Sequence, residues 1–232
     1  AFSHLTGPGS PGAAVSVSRG GDLLYAKGHG LAHLEYDIPI TSTTVFHVAS
    51  LSKQVTAFSV ALLASEGQLS LDDNIRAHLP EVRDFGATIT LRHLVHHTSG
   101  LRDQWELLVL SGKRIDDVIT TADIMTLVRH QRELNFAPGS EYLYCNTGYT
   151  LLAQIVERVT GESFYDWTRE RLFVPLGMTR THFQDDHERI VPNRAYSYKR
   201  TEDGYANSVL SFANAGATSL FTTVEDFAKW TR

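Results

Sequence analysis

Residues 46–57 read Phe-His-Val-Ala-Ser-Leu-Ser-Lys-Gln-Val-Thr-Ala, a short extended approach that leads into the first turns of a predicted helix. Ser50 is the only serine in the chain with a lysine three positions later. Residues i and i+3 share one face of a helix, so Lys53 can bring its amine to the Ser50 hydroxyl. Free N–H groups at the start of a helix also favour developing negative charge there. The pair therefore predicts a nucleophile with an adjacent base.

The helix that begins at Ser50 is predicted to end near Gly67, where glycine supplies a left-handed cap. Apolar residues occupy nearly the whole circumference of this helix: Val55, Ala57, Phe58, Val60, Ala61, Leu62, Leu63 and Ala64. A helix without a wet face is expected to lie at the centre of a fold, covered on more than one side. Such a dry setting lowers the pKa of a lysine, as a base requires.

The tetrapeptide from Ser50 to Lys53 also fits a purely structural interpretation. Serine is a preferred helix N-cap, and a lysine in the first turn is commonly solvated. Taken alone, the tetrapeptide favours this second interpretation, because a Ser-x-x-Lys arises by chance in about one such chain in three. The wider sequence has to decide between the two.

Working outward, the chain alternates strands and helices in an α+β layout. Residues 13–18 and 23–34 predict a hairpin around Gly20-Gly21-Asp22, and Glu202-Asp203-Gly204 predicts the tip of another. Further helices are predicted at residues 91–97 (preceded by Thr90), 122–130 (opened by Thr121), 147–160 (closed by Gly161) and 164–173 (capped by Ser163), and after a capping box of Thr222 and Glu225. The helix at 147–160 has a predicted buried stripe of Leu151, Leu152, Ile155, Val156 and Val159. We expect an α/β part at residues 1–69 and 184–232, and a helical part at residues 70–183.

Composition excludes several classes of function. The formal net charge of −5 over 232 residues argues against a nucleic-acid partner, which favours a basic surface. No apolar run is long enough to predict a transmembrane segment. Residues 1–9 lack a basic or apolar leader pattern, so we expect a signal peptide to be absent or already removed. The single cysteine, Cys145, excludes an internal disulfide.

Several motifs that follow one another along the chain favour the catalytic interpretation of the tetrapeptide. They are residues 46–57, residues 94–101 (Leu-Val-His-His-Thr-Ser-Gly-Leu), Pro138-Gly139, residues 142–149 (Tyr-Leu-Tyr-Cys-Asn-Thr-Gly-Tyr), residues 175–178 and residues 215–230. In this order the chain resembles the serine β-lactamase and penicillin-binding-protein superfamily, including class C β-lactamases, D-Ala-D-Ala carboxypeptidases and related esterases. The resemblance spans essentially the whole chain. It implies an α+β fold of the serine β-lactamase/DD-peptidase type, with a helical region beside an antiparallel sheet.

The resemblance also implies a set of site residues. Ser50 and Lys53 would be the first catalytic motif, and Tyr144 the phenol that takes the Ser50 proton and returns it to the leaving group. Asn146 would hold Lys53 and the substrate amide. Gln104 falls where class C relatives place a substrate-lining glutamine, although a solvated loop glutamine fits equally well. A second Tyr-x-Asn at residues 205–207 is rejected, because it lies in a turn-rich segment with no helix after it.

Other chemistries fit less well. His93 and His97 are spaced i, i+4 on one predicted helix with His96 beside them, but a zinc protease needs a glutamate where Leu94 stands. We therefore expect no metal and no cofactor. No Gly-x-Ser-x-Gly is present for an α/β-hydrolase. Cys145 is expected to be a small buried filler rather than a second nucleophile.

The chain departs from the family in one respect: no Lys-Thr-Gly or His-x-Gly triplet follows Asn146. In relatives that third motif lies on a strand beside the nucleophile and supplies a second oxyanion N–H. Losing one such donor typically costs about 10²–10³ in rate. The sheet is expected to reduce largely to the N-terminal hairpin. We therefore expect the chain to be a fragment, its missing strands supplied by the rest of a longer protein or by another chain.

The leading hypothesis is a serine hydrolase that forms an acyl-enzyme on Ser50 with an amide, ester or lactam carbonyl. Its partner would be a small molecule or peptide, namely a β-lactam, a D-Ala peptide or an ester. The alternatives are an inactive fragment or a non-catalytic sensor domain of the same fold that binds penicillin or peptide and acylates slowly. The missing third motif favours the sensor, and the complete set of Ser50, Lys53, Tyr144 and Asn146 favours the hydrolase. The resemblance favours an extracytoplasmic location, periplasmic or secreted.

Overall fold

The computed structural model describes residues 9–232 of the chain. The expectation about a signal peptide rests on the first residues of the chain, and residues 1–8 lie outside this part. Within residues 9–232, no helix combines the length and apolar character that crossing a membrane requires.

The elements follow in mixed order, as the α+β prediction requires. The strands are β1 (Ala13–Arg19), β2 (Asp22–His29), β3 (Leu31–His33), β4 (Ile38–Pro39), β5 (Phe46–His47), β6 (Ile119–Thr120), β7 (His182–Phe183), β8 (Tyr198–Thr201), β9 (Gly204–Asn207), β10 (Phe212–Ala213) and β11 (Leu220–Thr222). The helices are α1 (Ser52–Ser65), α2 (Ile75–His78), α3 (Leu91–Val95), α4 (Gln104–Leu110), α5 (Thr121–His130), α6 (Asn146–Thr160), α7 (Phe164–Thr168) and α8 (Val224–Trp230).

Both predicted hairpins form. β1 pairs antiparallel with β2 around Gly20 and Gly21, whose φ angles are +58° and +89°. Only glycine adopts two successive left-handed positions at little cost, which is why the turn falls at this pair. β8 pairs with β9 in the same way. The helix α8 packs against β1 and β2, so one side of the first hairpin is covered.

A second antiparallel sheet lies beside the start of α1, in the order β5-β11-β7. The expected reduction of the sheet largely to the N-terminal hairpin is wrong in this respect. These strands are only two or three residues long, and most of their residues are buried or half-buried. Such short strands show no alternation of apolar and polar residues, so the sequence carries no period-2 signal for them. Together they bring residues 46–47 and 220–222 next to each other, beside Ser50.

The helix α1 has one side that faces solvent, whereas the sequence predicted a helix without such a side. Its buried face carries Ser52, Lys53, Thr56 and Ser59 beside Val55, Val60 and Leu63, while Phe58 on the opposite face is 48% exposed. The buried hydroxyls are accommodated because they hydrogen-bond to backbone carbonyls, as Ser59 does to Val55 O at 2.9 Å. Hydrophobicity alone therefore did not indicate which side of this helix is buried and which faces solvent.

The main core lies between α1 and the helical region. The helix α6 packs against α1, α3 and α7 with its side chains at 0–1% exposure: Leu151, Leu152, Ala153, Ile155 and Val156. The stripe predicted for residues 147–160 from its 3.6-residue period contains four of these five residues. The helix ends at Gly161, whose φ of +74° is the predicted left-handed cap.

Several predicted boundaries differ from the structure. The N-cap of α5 is Thr120 rather than Thr121, and that of α8 is Thr223 rather than Thr222. In each case two threonines are adjacent in the sequence, and the backbone conformation decides which of them caps the helix. Thr222 belongs to β11 and its hydroxyl lies 2.7 Å from that of Thr181. The helix predicted at 164–173 ends at Thr168 and continues as a π-type turn to Phe173.

Two features connect the predicted α/β and helical parts. β6 pairs in parallel with β10, and β7 lies in the sheet with β5 and β11. The division into residues 1–69 with 184–232 and residues 70–183 stays a prediction.

Candidate active site

Ser50 sits in a tight turn that precedes α1. Residues Ala49–Leu51 form a 3₁₀ turn, and Ala49 has a positive φ of +45°. The turn is held by Ser52, whose hydroxyl donates to Ala49 O at 2.5 Å and accepts from Leu220 N–H at 3.0 Å. Ser50 is left exposed. Its N–H stands in the first turn, where backbone donors lack partners within the helix.

Lys53 projects from the first turn of α1 and is only 7% exposed. Its Nζ lies 3.0 Å from Ser50 Oγ, 2.8 Å from Asn146 Oδ1 and 2.7 Å from the carbonyl oxygen of Ala217. Burial lowers the pKa of Lys53 to about 8, although the negative charge of Asp103 acts in the opposite direction. The amine therefore loses its proton in a pH range where an ordinary lysine stays charged.

Tyr144 completes the group around the serine. Its hydroxyl donates to Ser50 Oγ at 2.8 Å, and the Lys53 Nζ lies 4.8 Å from the centre of its ring. Tyr144 is 42% exposed, so the site opens to solvent on this side. The structure thus brings together Ser50, Lys53 and Tyr144, and their catalytic roles stay a prediction.

His97 holds the segment that carries Tyr144. Its carbonyl accepts from Leu143 N–H at 3.0 Å, and its Nδ1 accepts from Cys145 N–H at 3.0 Å. The ring lies 4.6 Å from that of Tyr144. Burial, together with the charge of Lys53, lowers the pKa of His97, which agrees with its role as a hydrogen-bond acceptor.

The predicted i, i+4 spacing of His93 and His97 on one helix is not realised, because His97 lies beyond the end of α3. α3 ends at Val95 and His97 has a positive φ of +58°. His93 is used in a capping box with Thr90. Across residues 9–232 no group of three or more histidine, cysteine or acidic side chains is arranged to hold a metal ion.

Asn146 lies at the first position of α6 and bridges Lys53 to Asp103. Its Oδ1 accepts from Lys53, while its Nδ2 donates to Asp103 Oδ2 at 2.8 Å. The backbone N–H of Asn146 donates to the same carboxylate oxygen at 2.6 Å. Asp103 was missed by the sequence reasoning. Its position directly before Gln104, where it caps α4 through Trp105 N–H at 2.9 Å, is a signal that could have drawn attention to it.

Residues 216–220 form the wall opposite Asn146. Besides the bond from Lys53 to Ala217, Thr56 Oγ1 donates to Gly216 O at 2.8 Å. His47 Nε2 accepts from Ser219 N–H at 3.1 Å and lies 2.9 Å from the Thr218 hydroxyl oxygen. Burial and the charge of Arg194 lower the pKa of His47 to about 4, so it is neutral and able to accept at neutral pH.

Gln104 lies apart from this cluster. It is fully buried at 0% exposure, and its Oε1 accepts from the Thr150 hydroxyl at 2.8 Å. In this arrangement the Gln104 side chain has no surface open to solvent. Its substrate-lining role stays a prediction.

The second Tyr-x-Asn, at residues 205–207, lies on β9. Asn207 donates to Glu35 Oε1 at 2.9 Å, so it ties the hairpin of β8 and β9 to the loop after β3. Cys145, in the first Tyr-x-Asn, is 3% exposed, and burial raises the pKa of its thiol to about 11. A buried thiol of that pKa is a poor nucleophile at neutral pH.

The geometry around the amine has a direct chemical consequence. A neutral lysine amine has two hydrogens and one lone pair, and two of its three neighbours, Asn146 Oδ1 and Ala217 O, can only accept. When these take the two hydrogens, the lone pair faces Ser50 Oγ at 3.0 Å. The arrangement can therefore remove the serine proton during nucleophilic attack.

Comparison with known proteins gives a consistent result. Residues 2–232 match the sequence model of the family described as Beta-lactamase. The D-aminopeptidase of Gluconobacter oxydans (strain 621H) is 30% identical over 223 residues, which cover 96% of this chain and 42% of that protein. Penicillin-binding protein 4* of Bacillus subtilis (strain 168) is 34% identical over 191 residues, which cover 79% of this chain and 41% of that protein.

Among solved structures, the octameric penicillin-binding protein homologue from Pyrococcus abyssi matches with a TM-score of 0.83 and 28% identity. The match covers 95% of this chain and 51% of that chain. The mixed helix-and-sheet fold predicted from the sequence is thereby confirmed. The chain spans about two fifths of the length of these two curated relatives, 42% and 41%.

Proposed function

The chain belongs to the beta-lactamase family, and from this premise we propose that it is a serine hydrolase in which Ser50 is acylated and then released by water. The observation that carries the proposal is the environment of the Lys53 amine, whose two acceptor-only neighbours leave its lone pair facing Ser50. The lowered pKa of Lys53, about 8, supports a base that is partly unprotonated near neutral pH.

In the proposed reaction, Lys53 takes the Ser50 proton as Oγ attacks the acyl carbonyl. The N–H of Ser50 is placed to stabilise the oxyanion that forms. The Tyr144 hydroxyl, 2.8 Å from Ser50 Oγ, passes a proton to the leaving group. Water then attacks the acyl-enzyme by the reverse sequence of proton transfers and regenerates Ser50.

For the substrate, we propose an amide or peptide bond next to a D-amino acid. The support is the similarity to the D-aminopeptidase of Gluconobacter oxydans over 96% of this chain. The exposed Ser50 and the 42% exposed Tyr144 leave room for a peptide-sized substrate to approach. β-Lactams and simple esters remain the comparison substrates, since all three classes present an acyl carbonyl to the same serine.

The test compares turnover of D-alanine p-nitroanilide, its L-enantiomer, nitrocefin and a p-nitrophenyl ester by the wild type and by Ser50→Ala. Ser65→Ala is the matched control, because Ser65 is an exposed serine at the far end of the same helix and bonds only to Leu62 O. We expect Ser50→Ala to abolish turnover and Ser65→Ala to leave it unchanged. A fluorophosphonate should add one label, which peptide mass mapping places on Ser50.

Two results would count against the proposal. Turnover that survives in Ser50→Ala removes the serine from the chemistry, and a label on another residue reassigns the nucleophile. A single acylation of Ser50 by penicillin without further turnover would instead favour the second candidate, a sensor domain of the same fold.

A further inference from the structure

Asp103 makes no hydrogen bond to Ser50 or Lys53. Its carboxylate is instead hydrogen-bonded to Asn146, the residue that bridges Asp103 and Lys53. Its Oδ2 accepts from both the backbone N–H and the Nδ2 of Asn146, at 2.6 and 2.8 Å. Its Oδ1 accepts from Trp105 N–H at 2.9 Å. An ionised carboxylate can only accept hydrogen bonds, so each of these contacts fixes a donor.

The contact matters because an asparagine side chain has two different ends. Turned by 180°, Asn146 would present its NH₂ group to the Lys53 amine, and donor would face donor. The amine would then lose one of its two acceptors, and its lone pair would no longer be confined to the direction of Ser50. With the NH₂ group held by Asp103, the Oδ1 of Asn146 has to face Lys53, as found at 2.8 Å.

We propose that Asp103 is a positioning residue of the site, which orients the Asn146 amide so that the Lys53 amine points its lone pair at Ser50. The inference rests on the proposed function and deepens it, because it assigns a role to a residue outside the predicted motifs.

The charge of Asp103 has a second, separable effect. Burial lowers the pKa of Lys53, and the negative charge of Asp103 partly offsets this. The titratable groups around the Lys53 amine are Asp103, Cys145, His97 and the phenols of Tyr144 and Tyr149. Among the charges around Lys53, that of Asp103 raises its pKa the most, so removing it lowers that pKa further.

Two substitutions separate orientation from charge. In Asp103→Asn the amide oxygen can still accept from Asn146, but the negative charge is gone. We expect kcat/KM to keep most of its plateau, while the acid limb, expected near pH 8 in wild type from the pKa of Lys53, shifts to lower pH because that pKa falls. In Asp103→Ala the Asn146 amide is released, and kcat/KM should drop about 10- to 100-fold at all pH values.

Asp84→Asn serves as the control, since Asp84 is exposed and pairs only with Arg76 at 2.9 Å and its own loop. Its pH profile should match wild type. Melting temperatures of all variants show whether each is folded. If Asp103→Ala does not fold, Asp103→Ser takes its place, because serine keeps an N-cap oxygen for Trp105 N–H but has a single acceptor oxygen where the carboxylate has two.

The inference is overturned if both Asp103 variants keep the wild-type profile and plateau, or if they lose thermal stability alone. That result is distinguishable from a failure of the proposed function, which Ser50→Ala decides independently. A crystal structure of Asp103→Ala in which Asn146 still points Oδ1 at Lys53 would also contradict it.

Discussion

At the scale of single residues, the site is defined by which atoms can donate and which can only accept. The Lys53 amine is surrounded by Ser50, Asn146 and Ala217, and the exposed phenol of Tyr144 approaches the serine from the solvent side. In the proposed reaction each group has one task, so single substitutions should have separable kinetic effects.

Tyr144 and its neighbour Tyr142 provide a matched pair for this idea. In Tyr144→Phe the hydroxyl 2.8 Å from Ser50 Oγ is removed while the ring stays, and we expect kcat to fall by about 10²–10⁴, the usual contribution of a positioned acid–base group. Tyr142 is 68% exposed and packs its ring edge-on to His97. Tyr142→Phe should therefore stay within a few-fold of wild type in the same steady-state assay. Equal losses of kcat in both variants would show that the Tyr144 hydroxyl contributes no more to catalysis than that of Tyr142.

At the scale of elements, the site depends on residues 216–220 lying close against α1 and α6. Thr56 and Lys53 each donate to a carbonyl of this segment, and Ser52 accepts from Leu220 N–H. Gly216 lies close against the backbone of α6. A Cβ on Gly216 would lie 2.3 Å from Tyr149 O and 2.8 Å from Ala153 Cβ.

Gly216→Ala should therefore be destabilising and should also impair the site. The positive φ of +102° and the clash with backbone each cost about 1–3 kcal/mol of unfolding free energy. Gly112→Ala is the matched control, because Gly112 also has a positive φ, +86°, but open space around the new Cβ. It should lose only about 1–2 kcal/mol. Urea unfolding of both variants measures the difference, and similar losses would show that the contact with α6 is not tight.

At the scale of the whole molecule, the hairpin of β1 and β2 is linked to the rest of the fold through α8. The side chain of Asp226, 2% exposed, accepts from Arg180 N–H at 2.7 Å and from the Thr181 hydroxyl at 3.1 Å. These residues lead into β7, so one carboxylate joins α8 to the sheet beside Ser50.

Asp226→Ala removes this link and leaves buried donors without partners. We expect a loss of about 2–3 kcal/mol in unfolding free energy, and a lower denaturation midpoint in urea. Asp72→Ala is the comparison, since Asp72 is exposed and pairs only with Arg92, at 2.8 Å. Its midpoint should not change measurably, because exposed ion pairs add little. An unchanged midpoint for Asp226→Ala would show that this carboxylate does not provide the link between α8 and the sheet beside Ser50.

Local patterns predicted much of the fold. The glycine pair at residues 20–21, the apolar period of α6 and the caps at Thr90, Ser163 and Gly161 all appear where expected. These features are determined by backbone preferences within a few residues, which a single sequence displays. Boundaries failed by one residue at Thr121 and Thr222, because two adjacent threonines compete for one cap.

The features that were missed depend on contacts between distant segments. In the sheet of β5, β11 and β7, strand β5 pairs with a strand more than 170 positions later in the chain, as Phe46 does with Thr222. Likewise, α1 can bury Lys53 and Thr56 because residues 216–217 supply a carbonyl oxygen to each of them. Neither fact leaves a periodic signal in the sequence.

The sequence by itself determined the family, and its local motifs singled out Ser50, Lys53, Tyr144 and Asn146 as one group. Only the tertiary structure revealed what orients them: the carboxylate of Asp103, the ring of His97 and the carbonyl of Ala217. A motif fixes residue types at short spacing, whereas hydrogen-bond direction depends on atoms that the fold brings together from far along the chain.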